Sequence, residues 1–378
     1  MTDRIRLGMV GGGQDAFIGA VHRIAARLDD QFELVAGALS STPEKARASG
    51  HALGLPRVYP DYKHMARQEG KRDDGIEAVV IVTPNNVHFD PARSFLRQGI
   101  HVICDKPLTH TLASAKKLVK EVAALDALFF LTHNYTAYPM IRQARAMIAD
   151  GQIGEIRVVQ VEYAQDWLSE DIDTKQAQWR TDPARSGSGG SIGDIGTHAF
   201  NLACFVSGLK VEELSAELHG YVPDRMVDDN AHIMLRFEGL ARGMLWASQV
   251  APGNENGLRL RIYGETGGLE WSQEEPNRLW FTRFGEPKQL LTRGGAGAWP
   301  EAARFTRVPS GLPEGYLEGF ANLYSDIAQV ICAHRAGQAP DPAVSYPTVQ
   351  DGLAGMRFID ACLRSSAQNS QWMPLQPD

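Results

Sequence analysis

The sequence predicts two domains of the α/β class. An N-terminal doubly wound Rossmann domain with a parallel sheet is expected over residues 1–133, and a C-terminal α+β domain with a large, mostly antiparallel, open-faced sheet over residues 134–378. Three observations predict this division. A chain of 378 residues exceeds what one ordinary hydrophobic core holds. The first third alternates continuous apolar runs with helical patterns, as strands covered on both faces require. Beyond residue 133 the runs alternate apolar and polar residues across Gly-, Pro- and Asn-rich turns, as a half-exposed antiparallel sheet requires.

In the first domain the strands are expected at IRLGMV (5–10), FELVAGA (32–38), AVVIVT (78–83), HVIC (101–104) and LFFLT (128–132). Helices are expected over 18–26, 43–53, 88–98 and 112–125. The second of these carries a start signal, with Thr42 as N-cap and Pro43 at the first helical position. In the second domain a helix over 139–149 leads into EIRVVQVEYA (155–164). Strand-like runs follow at AHIMLRF (231–237), RGMLWASQV (242–250) and GLRLRIYG (257–264). Pro287 to Pro313, rich in Gly, Pro and Arg, reads as a long loop over a site or an interface. A final helix over 316–334 is expected to return to the domain surface, and no internal repeat is present.

Composition narrows the function. The net charge is −7, and no basic run interleaves with aromatic residues, which argues against nucleic acid as the partner. No apolar stretch approaches the ~20 residues of a membrane span. The run Ile5–Val10 reads as a strand where a signal peptide would have its apolar core. Cys104, Cys204, Cys332 and Cys362 are scattered without a CxxC pair, which points to a reduced, cytoplasmic protein without structural zinc.

The stretch GGGQDAFIG (11–19) follows the first strand directly. Read as Gly11-x-Gly13-x-x-Ala16, it satisfies the dinucleotide fingerprint. Gly11 then permits the tight turn, Gly13 the approach of a pyrophosphate, and Ala16 close helix–strand packing. Asp15 would repel a pyrophosphate and is expected to turn away and cap the helix that Phe17 and Ile18 open. The alternative places the third small residue at Gly19 with Gln14–Ile18 inserted; a plain structural turn is the other reading. Either phosphate reading leaves a helix N-terminus facing an anion. Glu33 lies about 20 positions on, where an acidic residue grips the ribose, but at the wrong end of its strand. At the right end stand Ser40 and Ser41, which suit a ribose or a 2′-phosphate alike; positive charge to offset a 2′-phosphate is sparse there, so NAD is favoured with NADP left open.

Thr83-Pro84-Asn85 with His88, and Asp105-Lys106-Pro107, each follow an expected strand at its carboxyl end, where open parallel sheets bind ligands. Gly193-Asp194-Ile195-Gly196-Thr197-His198 stands in the second domain. With the glycine turn, these four motifs in this order make the chain resemble the Gfo/Idh/MocA oxidoreductases, and among them the levoglucosan and inositol dehydrogenases. The resemblance implies an NAD(P)-dependent dehydrogenase of a sugar, anhydrosugar or cyclic polyol. It places the cofactor on Gly11, Gly13, Ala16, Phe17, Ile18, Ser40, Ser41, Thr83, Pro84, Asn85, His88, Asp105 and Lys106. The family usually has Glu where Asp105 stands here.

The resemblance puts Lys106 beside the nicotinamide and the reacting carbon. A lysine at the mouth of an apolar strand is partly desolvated, and beside a cationic ring it gives up its proton more readily. A surface lysine paired with Asp105 is the competing reading. Asp194 and His198 are four apart, on one face of a helix. The resemblance makes His198 the acid/base and Asp194 the group that orients substrate and tunes it, chemistry that suits imidazole at neutral pH. A metal reading of Asp-x-x-x-His lacks a third ligand, and a capping Asp beside a buried His remains open.

Asn134, Tyr135, Gln165, Trp167, Arg180, Asp194 and His198 are expected to line the substrate site, since amides, carboxylates and an indole face suit a polyhydroxylated ring. Asn254, Glu255, Asn256 and Trp179 are weaker candidates, and no geometry assigns His22. Two other functions fit the same motifs: a glycosidase that oxidises its sugar transiently on bound NAD, and a nicotinamide-responsive binding protein. A homo-oligomer, dimer or tetramer, is expected from the broad uncovered sheet.

Overall fold

The computed structural model describes residues 4–14 and 16–375. The chain forms two compact units, one of residues up to Asn134 plus Tyr316–Leu353, the other of Tyr135–Gly315 plus residues from Ala354 on. The first unit opens β1 (Ile5–Gly11), α1 (Phe17–Leu28), β2 (Phe32–Ala38), α2 (Pro43–Ala52), β3 (Arg57–Val58) and α3 (Tyr62–Glu69). It continues β4 (Ala78–Val82), α4 (Phe89–Leu96), β5 (His101–Cys104), α5 (Leu112–Ala123) and β6 (Phe129–Leu131). The six strands are parallel in the order β3-β2-β1-β4-β5-β6. Their centre is Met9, Val79, Val80, Ile81, Val102 and Ile103, all fully buried, as the unbroken apolar runs require.

Two elements of this unit lie outside the sequence expectation. The edge strand β3 has two residues, too few to carry a pattern. Helix α3 is polar apart from buried Met65 and Ala66, and its start is marked instead by Asp61, whose side chain accepts from the His64 amide at 2.8 Å. Thr42 does stand at the N-cap of α2 with Pro43 behind it, but no side-chain capping bond forms.

The second unit contains α6 (Pro139–Ala149), β7 (Ile156–Ala164), α7 (Lys175–Arg180), α8 (Pro183–Ser186), α9 (Thr197–Ser207), β8 (Val211–His219), β9 (Asn230–Phe237) and β10 (Arg242–Ser248). It goes on through β11 (Gly257–Gly264), β12 (Gly267–Ser272), β13 (Arg278–Arg283), β14 (Gln289–Thr292) and α10 (Pro300–Ala303). With β15 (Met373–Pro374) these strands make a nine-stranded sheet, antiparallel except where β10 runs parallel to β7. Helices α6 and α9 cover one face. The other exposes Met234, Met244 and Trp280 at 52%, 41% and 38%, so the sheet is open on that side.

The expectation of a plain loop over Pro287–Pro313 is corrected, since β14 and α10 lie within it. Arg293 is the cause. Its buried guanidinium donates to Glu314 at 3.0 Å, Asn277 at 2.8 Å and the Val308 carbonyl at 2.9 Å, so the segment folds around one cation.

The chain then forms α11 (Tyr316–Arg335) and α12 (Val349–Ala367). The division at 133/134 therefore omits one feature: α11 packs on α1 and belongs with the first unit. Only the first residues of α12, to Leu353, count with that unit. No helix among the described residues is long and apolar enough to cross a membrane.

His101, at the start of β5, accepts the Leu128 amide on Nδ1 and is pushed down to about 4 by burial and then by His334. Its pKa is lower folded than unfolded, so its contribution to stability is full above about pH 6.5 and is lost as pH falls towards 4. Between pH 7 and 5 this histidine alone should remove on the order of 2 kcal/mol. Urea unfolding of His101→Gln across that range should show a shallower loss than the native chain; an identical slope contradicts the assignment.

Candidate functional site

Four strands of the first unit end in residues singled out by the sequence. β1 ends on Gly11, β4 leads into Thr83-Pro84-Asn85, β5 into Asp105-Lys106-Pro107, and β6 into Thr132-His133-Asn134. All lie at the carboxyl edge, and β1 and β4 flank the point where strand order reverses.

Gly11 and Gly12 turn with φ of +77° and +68°, in the left-handed region. A Cβ on Gly19 would stand 2.4 Å from the Gly12 Cα and 2.5 Å from its carbonyl oxygen. Close helix–strand packing thus belongs to Gly19, and the role expected of Ala16 is corrected. Ala16 is the N-cap of α1, donating its N–H to the Gly13 carbonyl at 3.2 Å. The turn is longer than the fingerprint, so the third small residue arrives three positions later. Among the described residues no side chain caps α1, and no acidic residue lies in its first turn. Its leading amides, flanked by exposed Phe17 and partly exposed Ile18, therefore fit a pyrophosphate. The capping expected of Asp15 lies outside the described residues.

Ser40 and Ser41 follow β2, half-buried and exposed respectively. Thr83 Oγ1 donates to the Val87 carbonyl at 3.1 Å, and buried Asn85 opens a short 3-10 turn. The cofactor contact expected of His88 is corrected. The ring is wholly buried, with Nδ1 2.9 Å from the Pro107 carbonyl and Nε2 2.9 Å from that of Thr83, so it ties the two loops together. Asp105 is likewise engaged by protein, accepting from Thr132 Oγ1 at 2.6 Å and from His22 Nε2 at 3.1 Å. His133 is pushed down to about 3 by burial and then by the Lys106 charge, so its ring is neutral at ordinary pH. Buried Asn134 leaves Nδ2 without a hydrogen-bond partner among the described residues, a donor that a ligand oxygen would satisfy.

In the second unit the expected substrate residues come together. Trp167 Nε1 donates to Gln165 at 3.1 Å, Gln165 Nε2 to Asn256 at 2.8 Å, and the Tyr163 hydroxyl to Asn256 at 2.8 Å. The Tyr135 and Tyr163 hydroxyls are 2.6 Å apart. Burial pushes the Tyr135 phenol up, against the hydrogen bonds from Tyr163 and Asn256. His198 packs edge-on against Tyr135, ring centroids 4.9 Å apart. Asp194 Oδ2 accepts from Arg180 Nε at 3.1 Å and from Gln249 Nε2 at 2.9 Å. The Arg180 guanidinium lies over Trp179 at 4.3 Å, with Trp167 at 5.8 Å.

The expectation that Asp194 and His198 sit on a regular α-helix is corrected. Ile192–Gly196 winds as a π-helix and α9 begins at Thr197. Buried Asp228 holds the entry to this turn, accepting from Gly190 N at 2.6 Å, Ser191 Oγ at 2.6 Å and Ile192 N at 2.9 Å. Burial still leaves its carboxyl above the usual range, against those three bonds.

Residues 5–133 match the family profile of oxidoreductases with an NAD-binding Rossmann fold, Gfo/Idh/MocA, and residues 141–270 match the C-terminal domain of the same family. The chain belongs to the Gfo/Idh/MocA oxidoreductases. It is thus an NAD-dependent oxidoreductase whose first unit binds NAD. A crystal structure of an oxidoreductase from Sinorhizobium meliloti is 63% identical, with TM-score 0.91 over 98% of this chain and 100% of that one. An inositol dehydrogenase homolog from Azotobacter vinelandii, solved with NADH and myo-inositol, is 37% identical with TM-score 0.93, over 99% and 98% of the two chains. "Uncharacterized oxidoreductase YfiI" of Bacillus subtilis (strain 168) is 35% identical over 98% of this chain and 96% of its own length.

Sequence reasoning missed Tyr163, Gln249 and Asp228 in this cluster. Tyr163 alternates with Gln165 at the end of β7 and so shares its face, a signal that was available. Gln249 and Asp228 become neighbours of the π-turn only through the sheet, and no local pattern marks them. Asp228→Ala leaves three buried donors unpaired and should cost on the order of 3 kcal/mol, whereas Ser191→Ala, which removes donor and bond together, should cost about 1 kcal/mol. Urea unfolding of the pair checks this, and equal losses contradict it.

Proposed function

We propose that this chain is a dehydrogenase of a sugar, anhydrosugar or cyclic polyol, oxidising a carbon that bears a ring hydroxyl. The observation that carries the reading is the second-unit cluster of Gln165, Trp167, Arg180, Asp194 and Asn256 beside His198. Such a set offers many hydrogen bonds and an indole platform, which is what a polyhydroxylated ring needs. The Azotobacter vinelandii neighbour, solved with myo-inositol, supports the same substrate class.

NAD, when bound, supplies the hydride acceptor. The rest falls to this chain's residues. Asp194, pinned by Arg180 and Gln249, orients the substrate. The Lys106 amine and the His198 imidazole exchange the hydroxyl proton, and orientation accounts for much of the remaining acceleration. Gly11, Gly13, Phe17, Ile18, Ser40, Ser41, Thr83, Pro84 and Asn85 hold the cofactor, and Asn134 and Tyr135 join the substrate set.

Two further parts of the reading have their own support. The open sheet face with Met234, Met244 and Trp280 supports a homo-oligomer. The four cysteines, widely scattered in the sequence without a CxxC pair, support a reducing compartment such as the cytoplasm.

Inositols, aldoses and anhydrosugars offered with NAD should yield net NADH for at least one member, without glycoside cleavage. Lys106→Met should lower kcat by about 10²–10⁴-fold while NADH binding persists. Turnover like that of the native chain contradicts the role of the amine.

A further inference from the structure

His22 of α1 is wholly buried, and the chemistry proposed above makes no use of it. Its Nδ1 lies 2.8 Å from the Tyr324 hydroxyl of α11, and its Nε2 lies 3.1 Å from Asp105 Oδ1. The same oxygen accepts from Thr132 Oγ1 at 2.6 Å. Tyr324 of α11, His22 of α1, and Asp105 and Thr132, which follow β5 and β6, thus form one hydrogen-bonded chain that passes through the residue before Lys106. A carboxylate only accepts, so Nε2 is the donor to Asp105. Burial, and then the Asp105 charge, pushes the Tyr324 phenol well above its ordinary value, which keeps that hydroxyl protonated. Burial also drives the Asp105 carboxyl up, but His22 and Thr132 outweigh it and hold the group below the usual carboxylate range.

Four polar groups in an apolar interior are costly unless fully satisfied, and an apolar replacement of similar volume is often no less stable. Their placement explains what the cost secures. Asp105 begins the turn that carries Lys106, and His88 holds the Pro107 carbonyl at the turn's other end. α1 carries the glycine turn at its N-terminus. The chain therefore fixes the lysine turn against the helix that the cofactor turn opens.

We propose that Tyr324, His22 and Thr132 are positioning residues that act through Asp105 to hold Lys106 in register with α1. This rests on the reading of Lys106 as the proton-exchanging amine. In His22→Gln the amide nitrogen reaches the place of Nε2 and still donates to Asp105. In His22→Asn it reaches only the Nδ1 side and abandons Asp105.

Steady-state kinetics, NADH fluorescence titration and melting of the full chain test the proposal. His22→Asn should lose about 10- to 100-fold in kcat with NADH affinity and KM for NAD within about threefold, while His22→Gln keeps kcat within about threefold. Both should melt lower by similar amounts. Equal kcat in the two variants, or loss of NADH binding in step with kcat, overturns the proposal. If neither amide folds, Tyr324→Phe and Thr132→Val decide it, since each trims one bond of the chain; native kcat in both overturns it. Lys106→Met, assayed alongside, separates the two failures. If that variant is active, the amine's role falls. If it is inactive while the His22 variants are equal, only the positioning role falls.

Discussion

The first unit depends on how closely α1 can approach the turn after β1. With backbone meeting backbone at Gly12 and Gly19, there is no room for a side chain between them. That contact aims the N-terminal end of α1 along the carboxyl edge of the sheet, where β4, β5 and β6 deliver their own terminal residues. Remove the contact and α1 must move outward, taking His22 away from Asp105 and Tyr324. The turn, the lysine and the returning helix α11 thus share one geometric condition.

Buried ionic groups repeat a single device in both units. Asp105 gathers donors from α1 and from the residue after β6, Asp228 gathers three at the entry to the π-turn, and Arg293 gathers the carbonyls of an otherwise irregular segment. None of them is shaped to meet a ligand first. Asp105 and Asp228 instead set the path of backbone that carries residues proposed to do so, and Arg293 sets the path of the segment after β14. Burying a charge with every hydrogen bond made is how a loop is given one conformation rather than several.

The parallel sheet was legible because its strands are buried on both faces and so read as unbroken apolar runs, and most strands and helices of the first unit fall within a few residues of expectation. The short edge strand β3 and the polar α3 were not, since neither buries enough to leave a pattern. The glycine turn was legible as a phosphate turn, but which residue packs against it was not. Ala16 and Gly19 are both small, and only the length of the loop decides between them. Gln165 and Trp167 were legible as polar and aromatic types just beyond a strand, Arg180 as a residue before a Gly-rich stretch, and Asp194 and His198 as a pair four apart on a helix. Tyr163, Gln249 and Asp228 depend on strands distant in sequence coming side by side. The π-turn escaped for a similar reason, since the Asp228 carboxylate that holds its entry comes from a distant part of the chain.

The approach of α1 to the glycine turn rests on Gly19 and not on Ala16. Titration of the full chain with NADH, followed by fluorescence and paired with melting curves, tests it directly. Gly19→Ala should weaken NADH binding by about tenfold or more, while Ala16→Gly should change it by less than about threefold. Native affinity in Gly19→Ala, or a loss confined to Ala16→Gly, would contradict it.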